Sequence, residues 1–250
     1  MSAPPVPARV VSLVPSVTET LLAWGVTPVA CTRFCEQPDL PHVGGTKDPD
    51  VAAIADLAPD LVVMCVEENR REDADALAEA GVRTAALSID GVADVGPALR
   101  MLAALVGATP PADDLDRLDA LAAGELAGPG PVRGGRPLRA FVPIWKRPWM
   151  TLSGGTYGSS LLAAIGVHNV YADAEERYPT VTLDEVRERR PDVVLAPSEP
   201  YPFGERHVPL LAEVAPVVLV DGRDLFWWGV RTPGALRRLA DQLTAIDPGG

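Results

Sequence analysis

A short unit that occurs twice along the chain constrains its fold more than any other feature. Residues 58–64 read Ala-Pro-Asp-Leu-Val-Val-Met, and residues 190–196 read Arg-Pro-Asp-Val-Val-Leu-Ala. In both copies a segment with helical periodicity precedes the Pro-Asp pair, and a short β-branched apolar run follows it. Strands that alternate with helices in this way pack as parallel βαβ units. The repeat therefore predicts an α/β fold with two similar, Rossmann-like lobes.

The same alternation extends over most of the chain. Strands are predicted at 10–14, 28–30, 60–65, 82–87, 138–144, 193–196 and 217–220. Helices are predicted at 16–25, 50–57, 71–80, 156–165, 182–190, 208–214 and 232–245, the first of them opened by a capping box at Ser16–Glu19. Residues 91–126 are mainly helical with a break at 107–111, and the Pro/Gly stretch 128–137 is the best candidate for a connection. We predict an N-terminal lobe at 1–92, a helical connection at 93–137 and a C-terminal lobe at 138–250.

Composition and charge exclude several classes of function. The chain has 250 residues, of which 47% are hydrophobic, enough for one large core or two modest ones. Its formal net charge of −12 disfavours binding to a nucleic-acid backbone, which needs a concentrated basic face. Three cysteines, Cys31, Cys35 and Cys65, are an odd and low number, which argues against a disulfide framework.

The sequence shows no signal for export or for membrane insertion. The first apolar run, at 10–14, breaks at Pro15 and has no basic region ahead of it. No segment approaches the roughly 18 uninterrupted apolar residues of a membrane span. A cytoplasmic location is therefore expected for the sequence as it stands, and a periplasmic or cell-surface location if Met1 is not the natural start.

The candidate ligand contacts are the residues that follow the predicted strands. In open parallel sheets the ligand site lies beyond the carboxyl ends of the strands. In the first lobe this rule selects Pro15, Ser16, Phe34, Cys35, Lys47, Glu68 and Asn69. In the second lobe it selects Trp145, Lys146, Arg147, Trp149, Glu199, Tyr201, Phe203, Arg206, His207, Trp227 and Trp228.

Aromatic and basic side chains are prominent among these candidates. Aromatic residues make up only 5% of the chain, yet four of its five tryptophans follow predicted second-lobe strands. This concentration indicates a wall for a large, flat or apolar ligand; the alternative is that the loop tryptophans cover the edge of a lobe. The basic side chains lie on separate loops, so they could converge on carboxylates, amides or a phosphate of the ligand.

No catalytic constellation is evident, and we predict that the chain is not an enzyme. The nucleophile elbow GxSxG is absent, and the glycine-rich stretch at 153–158 lacks the Lys-Ser/Thr pair of a phosphate loop. Of the three histidines, His168 lies at a predicted helix-to-strand turn away from the predicted cleft, so His207 and possibly His42 are too few for the usual His-rich metal site. A single axial contact from His207 or Cys35 to a metal already held in a macrocycle stays open.

Five motifs in chain order resemble those of the helical-backbone substrate-binding proteins that serve ABC importers of vitamin B12, haem and ferric siderophores. They are residues 9–21, Val-Gly-Gly-Thr-Lys at 43–47, Pro-Asp-Leu-Val-Val at 59–63, Gly-Val-His-Asn-Val at 166–170 and Pro-Asp-Val-Val-Leu at 191–195. The resemblance implies two α/β lobes joined by a rigid helix, here within 112–126, and a ligand cleft between the lobes.

Three further segments are similar to the cobalamin-binding-like subgroup of that family. They are Glu-Glu-Asn-Arg at 67–70, Ile-Trp-Lys-Arg-Pro-Trp at 144–149 and Phe-Trp-Trp at 226–228. The resemblance implies a monomeric protein that holds a corrinoid or other metal chelate, requires no further cofactor and has an ABC importer permease as its partner. It also implies that Trp227 lies against the corrin. The alternatives are a cytosolic corrinoid chaperone or modifying enzyme on the same fold, and a regulatory module that has lost its ligand.

Overall fold

A computed structural model of the chain describes Pro7 and residues 9–124, 132–133 and 136–244. The chain forms two compact units. Unit 1 contains the described residues up to Ile89, Asp94–Asp116 and Trp228–Val230, and unit 2 contains Asp90–Ala93, the described part of Arg117–Trp227 and the described residues from Arg231 onward. Most of the predicted connection at 128–137, the helix end at 125–126 and Ala245 lie outside the described residues. The predicted domain boundaries and the bridging helix therefore stay predictions.

Unit 1 is built around a parallel four-stranded sheet in the order β2-β1-β3-β4. The elements up to the end of this sheet are β1 (Val10–Ser12), α1 (Pro15–Ala23), β2 (Ala30–Cys31), α2 (Val51–Asp56), β3 (Leu61–Cys65), α3 (Arg71–Glu79) and β4 (Thr84–Leu87). They are followed by α4 (Val92–Val106) and α5 (Ala112–Ala122), with the predicted break between them. Apolar side chains of the strands, such as Val11 and Val62, are fully buried in its core.

Unit 2 is built around a second, mainly parallel sheet in which β11, β10, β6 and β8 are neighbours in that order. Its strands are β5 (Val132–Arg133), β6 (Arg136–Phe141), β8 (Val167–Asn169), β10 (Val193–Pro197) and β11 (Val217–Val220), and β5 pairs antiparallel with β6. A separate antiparallel pair is formed by β7 (Trp149–Met150) and β9 (Thr180–Val181). The helices are α6 (Tyr157–Ala164), α7 (Leu183–Glu188), α8 (Val208–Leu211), α9 (Gly222–Phe226) and α10 (Thr232–Thr244), with a 3-10 turn at Glu205–His207.

The repeated Pro-Asp unit has the same structural role in both sheets. The Asp60 carboxylate accepts the backbone N–H of Arg9, which precedes β1, at 2.9 Å. The Asp192 carboxylate accepts the backbone N–H of Arg139 in β6, also at 2.9 Å. Two residues before each aspartate, Ala58 has a φ of 44° and Arg190 has a φ of 51°.

Both angles lie in the left-handed region that normally favours glycine. The repeat thus encodes a helix end with positive φ, followed by a carboxylate that ties the new strand to its neighbour.

Several predicted element boundaries differ from the observed ones. The predicted capping box at Ser16–Glu19 is wrong, because α1 begins at Pro15 without a side-chain cap and a proline suits the first turn of a helix. The strand predicted at 138–144 ends at Phe141, and β5, β7, β9 and α9 were not predicted. Within the described residues, no helix is both long and apolar enough to cross a bilayer.

Candidate functional site

The second unit contains a continuous aromatic cluster, which we define as Trp145, Trp149, Tyr201, Phe203 and His207. The rings of Trp149 and Phe203 are stacked, with centroids 6.0 Å apart and an interplanar angle of 7°. Tyr201 contacts Phe203 at 4.7 Å and Trp145 at 5.5 Å between centroids. His207 meets both Tyr201 and Phe203 edge-on, at 5.5 and 5.3 Å. The sequence placed all five after second-lobe strands, and the fold brings them together.

Local backbone structure holds the loop that carries three of these rings. Tyr201 and Phe203 follow β10, and the backbone N–H of Phe203 donates to the carbonyl of Pro197 at 3.2 Å. The 3-10 turn that follows carries His207, whose backbone N–H donates to the carbonyl of Gly204 at 2.8 Å. The loop is therefore folded back on the end of β10, so its side chains need little further ordering to bind a ligand.

The five rings differ in solvent exposure, so some belong to the core of unit 2 and others lie at its surface. Phe203 is 6% exposed and belongs to the hydrophobic core of unit 2 together with Phe141 and Val194. Trp145 is 44% exposed, and Tyr201 is half-buried. The burial of Phe203 favours a role for its ring in supporting the neighbouring rings, and its predicted contact with a ligand stays a prediction.

A pocket of about 380 Å³ opens beside the cluster. It is lined by Lys146, Arg147, Tyr201, Arg206 and His207, all of which are candidates from the sequence. The Lys146 ammonium also lies over the Trp149 ring, 5.7 Å from its centroid. The pocket thus combines aromatic side chains with three basic side chains, those of Lys146, Arg147 and Arg206.

His207 is a buried residue that lines the same pocket as these three basic side chains. Its side chain is 4% exposed, and burial, followed by the charges of Arg206 and Lys146, lowers its pKa. The ring is therefore neutral at neutral pH. The backbone N–H of Gly204 points at its Nδ1 at 3.1 Å, and the Nε–H of Arg206 points at its Nε2 at 3.3 Å. An N–H group therefore faces each ring nitrogen, which disfavours the axial metal contact considered for His207.

The remaining second-lobe candidates are less accessible than expected. Trp227 is buried, with the Arg231 guanidinium 5.6 Å from its ring centroid, and Trp228 is also buried. Both follow the unpredicted helix α9 and not a strand directly. Glu199 is half-buried against Gly222, where an added Cβ would lie 2.5 Å from the Glu199 Cγ.

In unit 1, the structure gives Asn69 a structural role. Its side-chain oxygen accepts the backbone N–H of Cys65 at 2.8 Å, and its amide nitrogen donates to the carbonyls of Leu13 and Thr46 at 3.2 and 2.9 Å. The side chain is buried and these contacts occupy its amide. The prediction that Asn69 contacts a ligand is therefore replaced by one in which it joins the ends of β1 and β3.

The other candidates of unit 1 range from buried to exposed. Pro15 and Ser16 are buried in the first turn of α1, and Lys47 donates to the carbonyl of Glu67 at 2.6 Å. Phe34 is 50% exposed with the Arg33 guanidinium over its ring, and Glu68 is half-buried. Of these side chains, Phe34 is the most available for contact with a ligand.

Cys35 has an environment that stabilises a thiolate. Its sulfur is buried, and the hydroxyls of Thr18 and Thr32 each lie 3.2 Å from it. A hydrogen bond from Cys31, assisted by those of Thr18 and Thr32, lowers the pKa of Cys35 to about 6 against the opposing effect of burial. The same pairing raises the pKa of Cys31.

We expect the Cys35 thiol to titrate at a pH well below that at which an ordinary thiol titrates. The ultraviolet thiolate absorbance of the wild type minus that of Cys35→Ser should fall as the pH is lowered through about 6. Cys65 is the matched control, because burial raises its pKa to about 12 and Cys65→Ser should remove no thiolate signal near neutral pH. A Cys35 midpoint at the ordinary value of about 8.5 would contradict the assignment.

Metal ligation by protein side chains has little support in the described residues. No group of three or more histidine, cysteine, aspartate or glutamate side chains is placed there to hold a metal ion.

Comparison with known proteins identifies the family. A family model described as periplasmic binding protein matches residues 10–199. The chain belongs to this family. The resemblance drawn from the five motifs is thereby confirmed, and with it the α/β fold of two lobes built on parallel sheets.

Curated relatives of this periplasmic binding protein cover most of the chain. The vitamin B12-binding protein of Pectobacterium carotovorum is 25% identical over 97% of this chain and 91% of its own length. The vitamin B12-binding protein of Vibrio cholerae is 28% identical over 77% of this chain and 71% of its own. These matches agree with the subgroup suggested by residues 67–70, 144–149 and 226–228.

Solved structures share the fold at lower identity. The periplasmic vitamin B12 binding protein BtuF of Vibrio cholerae has a TM-score of 0.76 at 22% identity, covering 95% of this chain and 96% of that one. The periplasmic heme-binding protein BhuT, solved with two hemes, has a TM-score of 0.75 at 23% identity, covering 94% and 97%. The fold is therefore one that carries different ligands.

Proposed function

We propose that the chain binds a corrinoid, or another metal chelate, as the substrate-binding component of an ABC importer system. The observation that carries this proposal is the pocket of unit 2, where Tyr201 and His207 meet Lys146, Arg147 and Arg206. The names of the curated relatives support a corrinoid, because they are vitamin B12-binding proteins.

The shape of the pocket indicates how a large chelate would bind. A pocket of about 380 Å³ is at the small end for a ligand site and would accept one side group of a macrocycle and not its whole ring system. The half-exposed Trp145 and Tyr201 offer apolar faces next to it. The macrocycle would therefore lie on the aromatic faces while a peripheral group enters the pocket.

We propose a binding role without catalysis. The family and its solved members are binding proteins. The N–H groups that face both ring nitrogens of His207, and the hydroxyls around the buried sulfur of Cys35, favour a chelate that keeps its own metal ligands. A bound ligand should accordingly be released chemically unchanged.

Calorimetric titration tests the proposal. Purified protein is titrated with cobalamin, cobinamide, haem and a ferric siderophore, and at least one should bind in the micromolar range or tighter. Recovered ligand is analysed by absorption and mass spectrometry. No binding of any of the four would contradict the proposal, and a modified product would favour the modifying-enzyme alternative.

Fractionation of native cells tests the importer role separately. Recovery outside the cytoplasmic membrane is expected for a protein that delivers its ligand to an importer. Recovery in the cytosol, together with ligand binding, would favour a corrinoid chaperone.

A further inference from the structure

The pocket of unit 2 carries positive charge that the protein does not neutralise. Lys146, Arg147 and Arg206 line it, and in the described part of the chain none of the three forms a salt bridge. Elsewhere in the same unit the pattern differs, since Arg223 pairs with Asp221 at 3.0 Å. Unpaired cations around one small pocket create a positive potential that favours an anion.

The lowered pKa of His207 is a second sign of this potential. Besides burial, its causes are the charges of Arg206 and Lys146, which disfavour a further positive charge on the ring. The carboxylate nearest in sequence, Glu205, is exposed and does not line the pocket. The positive groups are thus left to interact with a ligand.

The geometry of Arg206 leaves hydrogen-bond donors for a ligand. Its Nε–H points at His207 Nε2, with 3.3 Å between the two nitrogens, so the imidazole positions the guanidinium beside the pocket. In the part of the chain that the structure describes, no protein group accepts a hydrogen bond from the two terminal nitrogens of Arg206. Their N–H groups are available to an acceptor oxygen in the pocket.

From these contacts we infer that the pocket is an anion subsite, which holds an oxyanion at the periphery of the chelate and, in a corrinoid, the phosphodiester of the nucleotide loop. The inference rests on the proposed function, because it assigns a part of the ligand to a part of the same site. Lys146 and Arg147 add charge, while Arg206, which is positioned by His207, adds directed hydrogen bonds. The protein would accordingly select complete corrinoids over those that lack the phosphodiester.

Cobalamin and cobinamide separate this inference from the proposed function, since only cobalamin carries the phosphodiester. By calorimetry, cobalamin should bind about tenfold tighter or more, the gain expected of charge-assisted hydrogen bonds. Inorganic phosphate should compete with cobalamin and leave cobinamide binding unchanged. Equal affinity for the two corrinoids would overturn the inference and leave the proposed function standing.

Variants assign the effect to the pocket. Arg206→Gln should weaken cobalamin to about the level of cobinamide, so that the preference between the two corrinoids is lost. Arg237→Gln is the matched control, because Arg237 is exposed on α10 and does not line the pocket, and it should keep full discrimination. Thermal melting of both variants checks that they are folded. An Arg206→Gln protein that still prefers cobalamin tenfold would also overturn the inference.

A further comparison tests the case in which the oxyanion is a carboxylate of haem. If haem binds and neither corrinoid does, haem is compared with its dimethyl ester, which lacks the two carboxylates. Weaker binding of the ester supports the subsite, and equal binding overturns it. If none of these ligands binds, the inference fails together with the proposed function.

Discussion

Asp224→Asn should lower the free energy of unfolding by about 3 kcal/mol, because it leaves a buried arginine without its counter-charge. Asp224 is 4% exposed at α9, and its carboxylate accepts two bonds from Arg238 at 2.6 Å and one from Arg231 at 2.8 Å. The Arg231 side chain is itself only 16% exposed. The three residues join α9 to α10 within unit 2.

Chemical denaturation followed by circular dichroism measures this effect. Asp241→Asn is the matched control, because Asp241 is exposed on α10, and it should change the free energy of unfolding by no more than about 0.5 kcal/mol. Equal stability losses in the two variants would show that the buried carboxylate has no special role.

The contribution of the Asp224 carboxylate to stability should depend on pH with a definite sign. Burial raises the pKa of Asp224, but the hydrogen bonds from Arg238 and Arg231 outweigh it and lower the pKa below its ordinary range. The stabilisation from Asp224 is therefore full above the unfolded-state pKa of about 3.9 and is lost as the pH falls through the lower folded-state value. The stability difference between wild type and Asp224→Asn should shrink over that acidic range.

The two-lobe fold was predictable because its signal is local and occurs twice. The Pro-Asp unit before β3 and β10 has a direct structural cause, since Asp60 and Asp192 each bind the backbone of a neighbouring strand. Elements such as β7, β9 and α9 were missed because they span only two to five residues, too few to show a hydrophobic period.

The position of the candidate site was predictable from strand ends, but the role of each side chain was not. The loop after β10 carries Tyr201, Phe203 and His207, as the rule for parallel sheets predicts. Whether such a side chain faces solvent or the core depends on distant parts of the chain. Asn69 shows this, because its partners at Leu13 and Thr46 are remote in sequence.

Phe203→Ala should destabilise the protein by about 3–4 kcal/mol, the cost of removing a buried aromatic ring and leaving a cavity. The ring is 6% exposed and contacts Trp149, Tyr201 and His207. Chemical denaturation measures the loss, and a change below about 1 kcal/mol would contradict the core assignment. Ligand affinity should also fall, because the ring supports the faces of its neighbours.

Trp145→Ala separates support from contact in the same cluster. Trp145 is 44% exposed and contacts Tyr201 only edge-on, so its removal should cost no more than about 1 kcal/mol of unfolding free energy. If the macrocycle lies on this face, the affinity for the chelate should still fall about tenfold, the loss typical of an aromatic contact residue. Unchanged affinity would place the macrocycle away from Trp145. The two variants together distinguish a ring that holds the site in shape from a ring that touches the ligand.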